Sequence, residues 1–242
     1  MAKESGLNVR LYVEGNDLSG DANSLDSAGY MQEVYDTTTL SQSAVSRLAG
    51  RVDGTLSASA FFDAASTHIS AVMTANSGKL PTADQNVLIP LSSAVGSPAY
   101  GCIAKESEYG VAGSVGSPIT VSASYSINGT APEFGEMLTA HDDTHSSAGS
   151  GTVVDSGASS SNGASGYCHI FSLASGTVTV KIQHATSSGG TYADLISFTA
   201  TATGAVPVAY RATATGTVNR YIKVVTTGTF SNAKIAVALS RS

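Results

Sequence analysis

The sequence predicts an all-β chain with one short helix: an N-terminal β-sandwich or barrel, then a C-terminal antiparallel β-sandwich. Three observations predict it. Half of the 242 residues are Ser, Ala, Thr or Gly, and only 12% are charged, against about 25% in an ordinary soluble protein. Apolar and polar residues alternate at period two over many short runs. Glycines punctuate the later runs at the spacing of an antiparallel sandwich. With 42% hydrophobic residues and a net charge of −6, the chain has enough apolar surface to bury a core, so disorder is a poor explanation. No apolar run approaches the ~18 residues that a membrane-spanning helix needs.

The charges divide the chain. Through His145 there are 16 acidic and 6 basic residues; from Ser146 onward there are 2 acidic and 6 basic. Three parts are expected: a first unit over 1–145, a linker or loop over 146–166, and a second unit over 167–242. The linker's stretches 146–151 and 156–166 are almost all Gly, Ala, Ser and Asn, too poor in large apolar groups to form a core.

In the first unit, Leu7, Val9, Leu11 and Val13 alternate with polar neighbours as in a half-buried strand. Residues 14–43 carry scattered Asp, Ser, Asn, Gly and Thr and read as a long irregular segment, the kind that makes contacts with something else. A strand is expected over 54–62, with Leu56, Ala58, Ala60 and Phe62 opposite Thr55, Ser57, Ser59 and Phe61. Asp63 is placed to cap a helix over 64–76 whose Ala65, Ile69, Val72 and Met73 share one face. Strands resume at 86–92, 99–109 and 118–128. In the last, Ile119, Val121, Ala123, Tyr125 and Ile127 alternate with Thr120, Ser122, Ser124, Ser126 and Asn128. One such face packs on a core and the other meets water.

The second unit shows strand-like runs at 167–173, 177–185, 193–201, 206–214, 219–227 and 232–240. Turns are expected at Gly176, Gly189-Gly190, Gly204, Gly216 and Gly228, and no helix is expected there.

Catalysis finds little support. The chain has no G-x-S-x-G elbow, no Walker loop and no G-x-G-x-x-G fingerprint. His141, Asp142, Asp143 and His145 are the one cluster with metal-ligand chemistry, but they precede the Ser/Gly stretch without an apolar shell to orient them. A solvated loop is the expectation there, with no cofactor and no enzyme activity. Cys102 and Cys168 are far apart and are expected as buried thiols in a reducing compartment. The start, Met1 to Gly6, reads as no signal peptide, which places synthesis in the cytoplasm. The basic residues are single and form no groove for nucleic acid.

Certain segments carry a resemblance. Leu11-Tyr12-Val13-Glu14-Gly15-Asn16-Asp17 through Asp26 resembles the opening of major tail (tail tube) proteins of long, flexible-tailed bacteriophages. Arg47-Leu48-Ala49-Gly50-Arg51-Val52-Asp53-Gly54 running into Phe61-Phe62-Asp63, and Asn219 to Phe230, are similar to the same family. The resemblance implies homohexameric rings stacked into a tube for DNA ejection, with strands of six subunits joined around the lumen and a helix outside. Its implied partners are further copies of itself, a tape measure protein, tail-end proteins and DNA that passes without specific binding, with no membrane. The implied location is the virion tail, assembled in the host bacterial cytoplasm. On that reading Thr55, Ser57, Ser59, Thr120, Ser122, Ser124 and Ser126 line the lumen. Asp17, Asp21, Leu25, Tyr30 and Tyr35 make contacts between rings. The acidic first unit would repel phosphate. The alternative expectation is a virion decoration or carbohydrate-binding surface protein, with Tyr167, Tyr192, Tyr210 and Tyr221 of the C-terminal sandwich stacking on sugars.

Overall fold

The structure, a computed structural model, describes residues 6–75, 78–141 and 143–242. It is all-β with one short helix, and every strand pairing among the described residues is antiparallel. The first half holds β1 (Tyr12–Val13), β2 (Asn16–Asp17), β3 (Ala22–Asp36), β4 (Arg47–Phe61), α1 (Ile69–Met73), β5 (Gln85–Pro90), β6 (Pro98–Ala112) and β7 (Thr120–Ile127). There follow β8 (Glu133–Met137), β9 (Asp143–His145), β10 (Gly149–Ser150), β11 (Val154–Asp155) and β12 (Ala164–Ala185). The chain ends with β13 (Ala193–Ser197), β14 (Thr201–Ala202), β15 (Val208–Ala214), β16 (Tyr221–Thr227) and β17 (Phe230–Arg241).

The first sheet runs β2–β1–β5–β6–β7–β4–β3. Its inner face carries Leu56, Ala58, Ala60, Val121, Ala123 and Tyr125, packed with Ile69, Val72 and Met73 of α1 into one core. The β6–β7 pairing ends at Ala104. Before it, Pro98 to Gly101 pair with β8 instead, and β8 pairs in turn with β17. The sheet therefore continues without a break into the second half of the chain, through β17 to β12 and β15. A second sheet, β13–β12–β16 with β10 and β11 at its edge, closes a sandwich over a separate core that includes Cys168, Ile182, Ile222, Val224 and Val237. A third cluster drawn from both halves, Tyr12, Leu88, Ala99, Met137, Tyr167, Ala236 and Ala238, fills the seam between them.

Several expectations are corrected. Residues 14–43 are not irregular throughout: 16–17 form β2, and 22–36 form β3, half of a long hairpin with β4. Register shifts fall between Ala22 and Ser24, Leu25 and Ser27, and Gln32 and Val34. Each such bulge breaks the alternation on which a period-two reading depends. The helix is five residues long rather than 64–76. Asp63 does not cap it; its Oδ1 accepts from the Ala65 amide 2.8 Å away, which holds 63–65 in a turn, and the cap comes from Asp21, far off in sequence. Asn76, at the expected end of the helix, lies outside the described residues. Only Tyr12 and Val13 of the expected first strand pair as one, since Gly6–Asn8 form a short 3-10 turn.

Gly176 does not reverse the chain. It lies inside β12 at φ +84°, where a Cβ would come 2.1 Å from the Thr229 carbonyl oxygen. The strand changes partners there, pairing with β15 and β17 before it and with β14 and β16 after it. The glycine lets one strand belong to both layers. Residues 146–163 are laid against the second sheet: β10 and β11 pair with β16, Ser160 bridges Val218, and Val154 is buried, whereas 164–166 already belong to β12 and pair with β15 and β17. Both cysteines are buried and free, and burial pushes the Cys102 thiol up to about 12.

Candidate functional site

The seven hydroxyl residues singled out in two distant segments come together. β4 and β7 are in register so that Thr55 faces Ser126, Ser57 faces Ser124, and Ser59 faces Ser122, with Thr120 opposite Phe61. They stand on the outer face of the sheet because their neighbours Leu56, Ala58, Ala60, Val121, Ala123 and Tyr125 are buried on the inner one. β3 extends the same face. Ser27 Oγ lies 2.8 Å from Ser57 Oγ, and Asp26 accepts from Ser24 (2.6 Å) and Ser59 (2.7 Å). Those two hydroxyls, Ser24 first, hold the Asp26 carboxyl below the usual carboxylate range. On the other flank Glu108 stands opposite Ser124, and Lys105, opposite Ser126, is tied to Asp84 at 2.8 Å. The surface is a wet four-strand plane of short hydroxyls with fixed acids and a neutralised cation. Such a surface offers a polyanion many waters and few partners.

The β3 residues of this plane were missed because bulges interrupt their pattern. The available signal was the recurrence of Ser24 and Ser27 beside Leu25 and Ala28, which pair with Ser59, Ser57, Ala58 and Leu56.

The five contact candidates separate. Asp17 Oδ1 accepts from the Ser19 amide at 3.0 Å, and Leu25 packs on the first core. Asp21 is engaged by the helix: its Oδ2 accepts from the Ile69 amide at 2.9 Å, and its Oδ1 lies 3.0 Å from His68 Nδ1. Tyr30 and Tyr35 stand on the outer part of the β3–β4 hairpin, an arm exposed on both faces. From Tyr30 to Val45 every residue is exposed.

Among the described residues, His141, Asp143 and His145 do not converge as a ligand set. His141 is buried; its Nδ1 accepts from Arg10 Nε at 3.3 Å, and its carbonyl accepts from the Tyr12 hydroxyl. His145 Nε2 lies 3.4 Å from Asp143 Oδ2 on β9, and Asp142 lies outside the described residues. Among the described residues, Asp21, Asp63 and His68 do bring ligand atoms within 4.8 Å of one another. They act as a carboxylate–imidazole clamp at the start of α1. The hydrogen bond to Asp21, then the Coulomb attraction of both acids, raises the His68 pKa against the opposing effect of desolvation.

The four tyrosines considered for sugar stacking do not form a platform. Tyr167 is buried. Tyr210 packs on the second core, with its hydroxyl 3.1 Å from Thr201 Oγ1. Lys223 covers the Tyr192 ring at 4.2 Å, and Arg220 covers Tyr221 at 5.1 Å.

No family model matches the chain, and no curated protein matches it. Solved structures do. A chain of the virion of a native gene transfer agent particle is 16% identical, with a TM-score of 0.41, over 55% of this chain and 98% of that one. A chain of the tail of an empty gene transfer agent particle, with C6 symmetry, is 17% identical, with a TM-score of 0.39 over the same shares. The Dit hub protein of phage SPP1 is 9% identical, with a TM-score of 0.35, over 96% of this chain and 98% of its own.

Proposed function

We propose that this chain is a structural protein of a bacteriophage tail, assembling with copies of itself into stacked rings of six that form a tube for DNA. The observation that carries the reading is the continuous hydroxyl plane: Thr55, Ser57 and Ser59 in register with Ser126, Ser124 and Ser122, backed by a packed core. A lumen wall must be wetted, must not grip phosphate, and must be stiff. Short hydroxyls and fixed acids supply the first two properties, and the core behind supplies the third. Sixteen of the chain's 18 acids fall within residues 1–145, so the long-range field also keeps a passing duplex off the wall.

Two further features support self-assembly. β3 pairs with β4 on one side, and among the described residues no strand pairs with its other edge. A 15-residue open edge is a template for another chain unless something covers it, and the neighbouring subunit of a closed ring would cover it. The arm beyond Tyr30 is exposed on both faces and is the candidate for contacts between rings, through Tyr30 and Tyr35. The remaining contact candidates Asp17, Asp21 and Leu25 lie at its base, and the tape measure and tail-end proteins would meet the two ends of the tube. In this reading 167–242 is a second domain, placed outside the wall, and the protein acts by shape without catalysis.

Electron microscopy of the purified protein tests the proposal. Rings or tubes of uniform bore are expected. A protein that stays strictly monomeric at high concentration overturns it.

A further inference from the structure

We infer that the cleft where the β1–β2 turn meets α1 binds a linear aliphatic amine, with its ammonium on Glu14 and Gln85 and its methylenes on the apolar wall.

The cleft holds about 480 Å³, and its lining includes Glu14, Val72, Pro81, Ala83, Gln85 and Pro207. That is the size of a small-molecule site and many times the ~30 Å³ that one water occupies, which argues against a bare ion. Asp84 also lines it, and among the described residues the lining holds no Lys, Arg or His.

Gln85 carries the inference. It is 5% exposed, and its Oε1 has no donor among the described residues. A buried acceptor without a donor loses its water and gains nothing in return, so folded chains rarely keep one. Beside it stands a charged acceptor. β1 pairs with β5 so that Val13 faces Val87, and the Glu14 amide donates to the Asn86 carbonyl at 3.0 Å. The Asn86 amide and, at 3.1 Å, Asn86 Nδ2 both donate to Glu14 Oε1. Among the described residues Oε2 accepts nothing. Asp84 already has Lys105 at 2.8 Å and Asn128 at 2.8 Å, so the unanswered charge of the cleft is that of Glu14.

The second half of the chain holds Glu14 in place. Its φ is +48°, a region that costs a residue with a side chain energy. The next amide, that of Gly15, donates to the buried His169 Nδ1 at 3.2 Å. A Cβ at Gly15 would come 2.3 Å from the Val208 nitrogen. The turn is wedged there and cannot swing its carboxylate towards another partner.

Two acceptors side by side call for a ligand made of donors. An ammonium offers three and no acceptor, whereas a carboxylate or phosphate would meet only oxygens. Val72, Pro81, Ala83 and Pro207 then cover the aliphatic part, as apolar surface covers the stem of a lysine.

Isothermal titration of the full chain with 1,5-diaminopentane, and with Mg2+ at matched ionic strength, tests the inference. One diamine per chain is expected to bind saturably, with Mg2+ far weaker. Glu14→Gln and Gln85→Met should each weaken the diamine about tenfold or more, the loss of one hydrogen bond to a charged group. Gln85→Met keeps the volume and removes the unpaired acceptor, so without ligand it should melt no lower than wild type. Asp194→Asn, the same charge change as Glu14→Gln but on the second sandwich, should bind as wild type does. Absence of saturable binding overturns the inference. Equal binding of Mg2+ also overturns it, in favour of an ion site. Unchanged affinity in either cleft variant overturns it too, because only the general attraction of a chain of net charge −6 is then left. None of these outcomes bears on the tube reading.

Discussion

Glu133 of β8 and Arg211 of β15 form an ion pair across the seam, with Nη2 2.7 Å from Oε1 and Nε 3.2 Å from Oε2. Ser165 donates to the same carboxylate at 2.7 Å, and the Tyr167 hydroxyl donates as well. Burial pushes Glu133 up, but the hydrogen bonds from Arg211, Tyr167 and Ser165 outweigh it and hold the carboxyl below the usual range. Both side chains are less than one-fifth exposed, so removing one partner strands a charge. Glu133→Leu or Arg211→Met should cost about 3 kcal/mol, and the two changes together should cost much less. Denaturant unfolding of the four proteins measures the coupling. Because the Glu133 pKa is lowered, its contribution is present above the unfolded value and fades as pH falls through the folded one.

Gly101 lies flat against Tyr167 in the same seam. A Cβ at Gly101 would come 2.6 Å from the Tyr167 ring. Gly101→Ala therefore displaces the ring that donates to Glu133. The expected loss is about 1–3 kcal/mol, read as a lower urea midpoint, and it should be non-additive with Arg211→Met.

Glu106 gives the opposite pH response to Glu133. It is buried opposite Tyr125 with no partner for either oxygen, and burial pushes its carboxyl up to about 8. Glu14 and Cys102 are the other titratable groups acting on Tyr125. The folded chain keeps a proton that the unfolded chain releases above its ordinary value near 4.5. Stability should therefore fall as pH rises through that window, by about 1.4 kcal/mol per unit at most, and level off above pH 8. Glu106→Gln should flatten the slope of urea midpoint against pH.

Asp21 caps α1 from a distance. With the Ile69 amide and His68 both on its carboxylate, Asp21→Ala should cost about 1 kcal/mol. Hydrogen exchange at Ile69–Met73 should speed up before exchange elsewhere does. The raised His68 pKa adds stability at low pH that is lost as pH rises through the folded value.

The hydroxyl plane makes a functional prediction. Replacing Ser122, Ser124 and Ser126 by Lys puts three cations on an exposed face without touching the core. Tubes should still form, and DNA ejection from reconstituted particles should slow or stop. Unchanged ejection would place that face away from the lumen.

The strand over 120–127 and the 54–61 half of β4 were legible because Val121 to Tyr125 and Leu56 to Ala60 alternate without a fault, and a half-buried strand has no other way to satisfy both faces; the 47–53 half, exposed on both faces, carries no such alternation. The hydroxyl residues could be read for the same reason. β3 was not legible: three bulges shift Ser24, Ser27 and Val34 out of period, and only pairing with β4 reveals the pattern. The helix itself was legible from the shared face of Ile69, Val72 and Met73, but its start was not, since its capping acid, Asp21, is brought in by the fold and not by its neighbours in the chain.

What the sequence by itself determined was the class of fold, the position of the alternating faces and the charge division near His145, because these depend on local periodicity and on counting. Tertiary structure alone decided that Thr55, Ser57 and Ser59 meet Ser126, Ser124 and Ser122 in one plane. It also decided that Gly176 passes a strand between sheets, and that Glu133 and Arg211 join the halves. Register, partner exchange and ion pairing across 78 residues are set by which surfaces pack together, and no local pattern records that.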